Sequence, residues 1–100
     1  MNRIEQIRQM LQEEPDDLFL RYALGLELKK IDQFQEAIEV FESLPTSYLP
    51  RYYQLGKIHE DMGRVEEAIA VYKQGELLAR SVGDLKTANE LAEAIWMLED

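Results

Sequence analysis

Sliding the 100-residue sequence past itself by 31 positions lays Tyr22-Ala23-Leu24-Gly25 over Tyr53-Gln54-Leu55-Gly56. The same shift lays Glu36-Ala37-Ile38-Glu39-Val40-Phe41 over Glu67-Ala68-Ile69-Ala70-Val71-Tyr72. Across positions 22–44 and 53–75, the tyrosine, leucine, glycine, glutamate, alanine, isoleucine and valine pairs are identical. Phe34 over Val65 keeps apolar character. A duplication of this length is one supersecondary unit used twice, and such a unit cannot bury its apolar face alone. Stacking of neighbouring units is therefore required before composition is considered.

Each unit reads as two helices. Leu, Glu, Ala, Gln, Lys, Arg and Met fill most positions, and breakers are confined to Pro15, Pro45 to Pro50, Gly63 and Ser81-Val82-Gly83-Asp84. Those breaks predict helices over 2–13, 17–31, 34–44, 50–62, 65–81 and 85–98. Leu24, Leu28 and Ile31 fall on one stripe of a 3.6-residue period, as do Ala37, Val40, Phe41 and Leu44. Asp16 or Asp17 is placed to cap the second helix, Gly83 to end the fifth and Asp84 to cap the sixth. No alternating strand pattern occurs, so the expected fold class is all-α with about six helices.

At these residues the chain resembles the tetratricopeptide repeat family, whose signature is W-x2-L-G-x2-Y…A-x3-F…P. Leu24, Gly25, Ala37 and Phe41 match in the first repeat, and Leu55, Gly56, Ala68 and Tyr72 in the second. The tryptophan position holds Arg21 and Tyr52, and the tyrosine position Leu28 and His59. The 31-residue period is three short of the usual 34, and the deletion falls at Leu44-Pro45-Thr46-Ser47-Tyr48. It is expected to shorten the second helix of repeat one by most of a turn. Ile7 stands eight residues before Pro15, so helix 2–13 resembles a second repeat helix; Leu91-Ala92-Ile95-Leu98 makes helix 85–98 resemble a capping first helix. The resemblance implies a right-handed α-solenoid of stacked antiparallel helix pairs in a single domain over 1–100. Its parts are a half-repeat at 2–15, repeats at 17–48 and 49–81, and a cap at 84–98.

Catalysis has little material here. His59 is the sole histidine and shares an inward stripe with Leu55 and Met62. The serines, at 43, 47 and 81, lie in loops or near helix ends with no base at a predictable distance. With no cysteine and one histidine, metal sites are left to carboxylates, and Glu13-Glu14-Pro15-Asp16-Asp17 lacks the spacing of a calcium loop. Gly25 and Gly56 stand alone within helices, so no phosphate-cradling loop is present. The chain is expected to be no enzyme and to carry no cofactor. Eleven basic against 20 acidic residues give a net charge of −9, which would repel a phosphate backbone, so no nucleic-acid partner is expected. The sequence has no apolar leader or spanning run, which predicts no membrane partner and a cytoplasmic location.

Binding has better candidates. Phe19, Tyr22, Leu26 and Lys29 follow a +3, +4, +3 spacing on one face, offset from the core stripe. Pro50, Tyr53, Lys57 and Glu60 repeat that line, and Lys86, Asn89, Glu93 and Trp96 continue it. In tetratricopeptide-like stacks these faces line a concave groove. The resemblance therefore implies a protein–protein interaction adaptor that holds a peptide or helix of an unidentified protein through Phe19, Tyr22, Leu26, Lys29, Tyr53, Lys57 and Trp96. The asparagines of the family's chaperone-binding carboxylate clamp are missing, which disfavours that ligand. Three alternatives are structural: Phe19 packed under helix 2–13, Trp96 wrapping the C-terminal end, and the two tyrosines covering neighbouring helices. A homodimer paired through the groove or helix 2–13 is the second functional expectation.

Overall fold

A computed structural model describes residues 2–99. Six helices follow one another: α1 (Arg3–Glu13), α2 (Leu18–Lys30), α3 (Phe34–Glu42), α4 (Pro50–Asp61), α5 (Val65–Ser81) and α6 (Leu85–Leu98). No strand occurs among the described residues, and the fold is an all-α helical repeat. The helices gather into two compact units, one up to Pro45 and one from Thr46 onward.

Side-chain caps open three helices. Asn2 accepts from the Glu5 amide at 2.9 Å, Asp17 from that of Leu20 at 3.0 Å, and Asp84 from that of Thr87 at 3.1 Å. Of the two aspartates expected at α2, Asp17 is the cap; Asp16 instead pairs with Arg21 at 3.4 Å.

The first repeated helix pair and the second end their leading helices alike. The amide of Gly63 bonds the Glu60 carbonyl and that of Arg64 the His59 carbonyl; Asp32 and Gln33 make the same two bonds to Lys29 and Leu28. This is the paired-bond C-terminus that needs a left-handed residue. Gly63 supplies it at φ +76°, whereas Asp32 occupies it at φ +59° with a side chain attached. Replacing Asp32 with glycine should remove that strain and raise stability by about 0.5 kcal/mol after the entropy gained by the unfolded chain. An unchanged or lowered urea midpoint would show that Asp32 is at ease there.

In the first unit α1 packs on α2, and α2 on α3, around Ile7, Leu24, Leu28, Ala37, Ile38, Phe41 and Leu44. Gly25 is the crossing point, since a Cβ there would lie 2.6 Å from the Phe41 ring. Arg21, where the family signature has tryptophan, ties the corner by charge: its guanidinium donates to the Pro15 carbonyl at 2.8 and 3.0 Å and to that of Ser43 at 3.2 Å. Two expectations need correction. Ile31 is 55% exposed, because the helix stops at Lys30 and the stripe ends with it. And α3 is nine residues against seventeen for α5, a loss of more than two turns rather than most of one. Pro45 disfavours helical backbone at Leu44 and offers no amide, and the helix ends at Glu42, two residues before its apolar stripe does.

In the second unit α4 packs on α5, and α5 on α6. Ala68, Tyr72, Leu91 and Ile95 form a closed cluster, flanked by Ile69, Ala94 and Leu98. Tyr52, again at the tryptophan position, is buried, and its hydroxyl donates to the Thr46 carbonyl. Gly75 lets Tyr52 lie against α5: a Cβ at 75 would be 2.6 Å from the Tyr52 Cβ.

Asp84 ties α6 to acid conditions. It accepts from both the amide and the hydroxyl of Thr87, which, with Lys86 nearby, holds its carboxyl below the ordinary 3.8. A lowered folded pKa adds stability that is present above the unfolded value and lost as pH falls through the folded one. The melting temperature should therefore decline below about pH 4, and Asp84→Ala should flatten part of that decline. Parallel acid profiles for the two proteins would contradict this.

Candidate functional site

A cleft of about 290 Å³ opens between α4 and α6, lined by Tyr53 and Lys57 on one side and Glu90, Glu93, Ala94 and Met97 on the other. Its floor follows from the core beneath it. Tyr72 is fully buried, and its ring lies 6.3 Å from that of Tyr53, which is held with 39% of its surface exposed. The Tyr72 hydroxyl donates to Glu60, one turn from Lys57 on α4. Burial first, then that hydrogen bond and the Glu60 charge, push the Tyr72 phenol far above its usual range, so it serves as a fixed donor.

Lys57 is partly spent within α4. Its ammonium sits 5.5 Å from the centre of the Tyr53 ring and 3.7 Å from Glu60 Oε2. On the opposite wall Glu90 and Glu93 are exposed, and no cation pairs with either among the described residues. Met97 is 73% exposed beside them. The cleft thus combines a ring, a thioether and two open carboxylates.

Of the expected binding residues, Tyr53 and Lys57 meet in this cleft. Trp96 does not line it; it is 77% exposed on another face of α6. In the first unit Phe19 is 72% exposed, so the packed alternative under α1 does not hold. Tyr22 is half-buried with its ring edge-on to Phe41 at 5.7 Å. Leu26 and Lys29 are half-buried.

Glu90, Ala94 and Met97 were outside the line drawn from sequence, which carried the +3, +4 register of α4 straight onto α6. Two neighbouring helices turn opposite flanks toward a groove they share, so on α6 the lining set is one position further round. Leu91 and Ile95, once recognised as core, carry the signal that Glu90, Ala94 and Met97 flank it on one side. His59 is half-buried and does not line the cleft; its Nδ1 is buried without a hydrogen-bond partner among the described residues. No group of three metal-ligating side chains converges, and no helix is long and apolar enough to cross a membrane, among the described residues.

The two units repeat one construction. Gly25 under Phe41 and Gly56 under Tyr72 are the same contact, 31 residues apart. The tetratricopeptide repeat family model matches residues 49–81, the helix pair α4–α5. A tetratricopeptide repeat domain protein from Salinibacter ruber, in its solution structure, is 40% identical over 85% of this chain and 89% of its own, with a TM-score of 0.80. The chain belongs to the tetratricopeptide repeat family. The crystal structure of the Salinibacter ruber domain gives 39% identity over 82% and 96%, at a TM-score of 0.74. A Bordetella parapertussis protein structure is 25% identical over 98% of this chain and 88% of its own, at 0.86. No curated protein sequence matches. Tetratricopeptide repeat domains are in general non-catalytic interaction domains, and the α4–α6 cleft is where this one offers an open surface of mixed chemistry.

Proposed function

We propose that the chain is a non-catalytic protein–protein interaction module, an adaptor whose α4–α6 cleft holds a peptide or helix of a partner protein. The observation that carries this reading is the pairing of exposed Tyr53 and Met97 across a cleft with charged side chains on both walls. Aromatic and thioether groups give contact area at low entropic cost, and the charges around them set orientation. In the first unit, exposed Phe19 with Leu26 and Lys29 on α2 offers a further contact line.

Tyr53→Ala combined with Met97→Ala should leave the helical signal and melting cooperativity in place, because both side chains are exposed. Proteins retained from native lysate by the wild-type chain should fall to background on the double variant. Undiminished retention by the folded variant would move the binding surface away from this cleft.

A second reading is self-association, favoured by a different stripe. Leu85, Ala92 and Trp96 share one face of α6 by +7, +4 spacing, with Leu85 and Trp96 both exposed. A homodimer through this stripe would be lowered to a monomer by Trp96→Lys, as read by light scattering. A single-chain mass for the wild type across a wide concentration range excludes it.

A further inference from the structure

We infer that the α4–α6 cleft selects a basic partner segment, one that places a lysine or arginine next to an aliphatic residue. This inference rests on the interaction-module reading and gives its partner a chemistry.

Three observations converge. Lys57, the one cation lining the cleft among the described residues, is already engaged by Glu60 and by the face of Tyr53. The cleft's carboxylates, Glu90 and Glu93, are three residues apart on α6, project from the same wall, and form no ion pair among the described residues, Lys86 one turn before Glu90 included. The same cleft is lined by the apolar surfaces of Ala94, Met97 and Tyr53. A ligand carboxylate would meet Glu90 and Glu93, and the ammonium that could receive it, Lys57, is already paired with Glu60. A ligand guanidinium or ammonium instead meets two open carboxylates, and its aliphatic stem runs along Met97 and Ala94. An adjoining aliphatic side chain then covers the exposed part of the Tyr53 ring. The chain's net charge of −9 works in the same direction, drawing basic segments in before contact is made.

A random twelve-residue peptide library displayed on phage, selected on the full chain, supplies the probe. Enriched peptides would be synthesised with a fluorescent label and titrated by anisotropy against wild type, Glu90→Gln/Glu93→Gln and Tyr53→Ala. The expected result is peptides with a lysine or arginine beside Leu, Ile, Val or Met, bound about tenfold more weakly by the double glutamine variant. Binding should also weaken steeply as sodium chloride is raised. Both glutamates are exposed, so the glutamine variant should melt with the wild type, and a matched melt makes the comparison valid.

If the selected peptides are acidic or neutral and lose affinity on Tyr53→Ala but not on Glu90→Gln/Glu93→Gln, the basic preference is overturned while the module reading stands. If no peptide is enriched, or none depends on Tyr53, both fall together.

Discussion

Alanine in place of Tyr72 is expected to unfold the second unit or leave it close to its midpoint in buffer alone. The ring is fully buried in the cluster with Ala68, Leu91 and Ile95 and is roofed by Gly56. Deleting a buried aromatic costs about 3–5 kcal/mol, against a total of about 5–15 kcal/mol for a native domain. Ala68, Leu91 and Ile95, which share its cluster, are already buried, so filling the space would need α4, α5 and α6 to repack. Tyr72→Phe separates ring from hydroxyl: it keeps the packing and loses the bond to Glu60, at about 1 kcal/mol. Urea titrations followed by circular dichroism check both. A Tyr72→Ala midpoint within experimental error of Tyr72→Phe would mean that the ring is not the keystone of this unit.

The hydroxyl has a pH signature of its own. A phenol raised in the folded state keeps its proton after the unfolded chain has lost it. The stabilisation is thus complete below the ordinary value of 10.0 and is withdrawn as pH climbs above it. Tyr72→Phe should lose part of this alkaline instability.

Gly56→Ala is the second large effect, and it adds atoms where Tyr72→Ala removes them. A methyl group at 56 would lie 2.5 Å from Tyr72 Cδ1 and Cζ and closer still to Cε1. The ring is the rigid part of its side chain and is pinned by Glu60, so it cannot step aside as a flexible chain end would. The backbones of α4 and α5 must separate instead. Overpacking of this kind costs about 1–3 kcal/mol, and the upper end is expected because the three nearest atoms all belong to one buried ring. The double variant Gly56→Ala/Tyr72→Leu should recover part of the loss, since the smaller side chain vacates the space, and a thermodynamic cycle reads the coupling directly. Strictly additive losses would place the strain elsewhere.

The repeat was legible because its physics is local to the sequence. Small residue, aromatic and apolar stripe recur at a fixed spacing, and the helices, their caps at Asp17 and Asp84 and the turn at Gly83 follow from residue type. Legibility failed at two backbone decisions. The length of α3 was set by Pro45 acting on Leu44, while the apolar pattern ran on past it. The left-handed turn at Asp32 was signalled by Gly63, which the 31-residue shift lays over it, but aspartate adopts that backbone far less readily than glycine, so residue type at 32 did not settle it. The cleft was half legible for a different reason. Tyr53 and Lys57 could be found from one helix, but Glu90 and Met97 could be found only from the way two helices face each other.

Trp96 gives the protein an optical property that follows from its position. It is the sole tryptophan, and its indole is already surrounded by solvent in the native state. Its emission should be red-shifted before any denaturant is added and should change little on unfolding, so an emission-based melt would report a nearly featureless curve for a protein that unfolds cooperatively. That same insensitivity makes it a quiet background against which occupancy can be seen. A blue shift on adding a ligand would report new cover over that face of α6, and no shift, with binding established by other means, would place the ligand away from it.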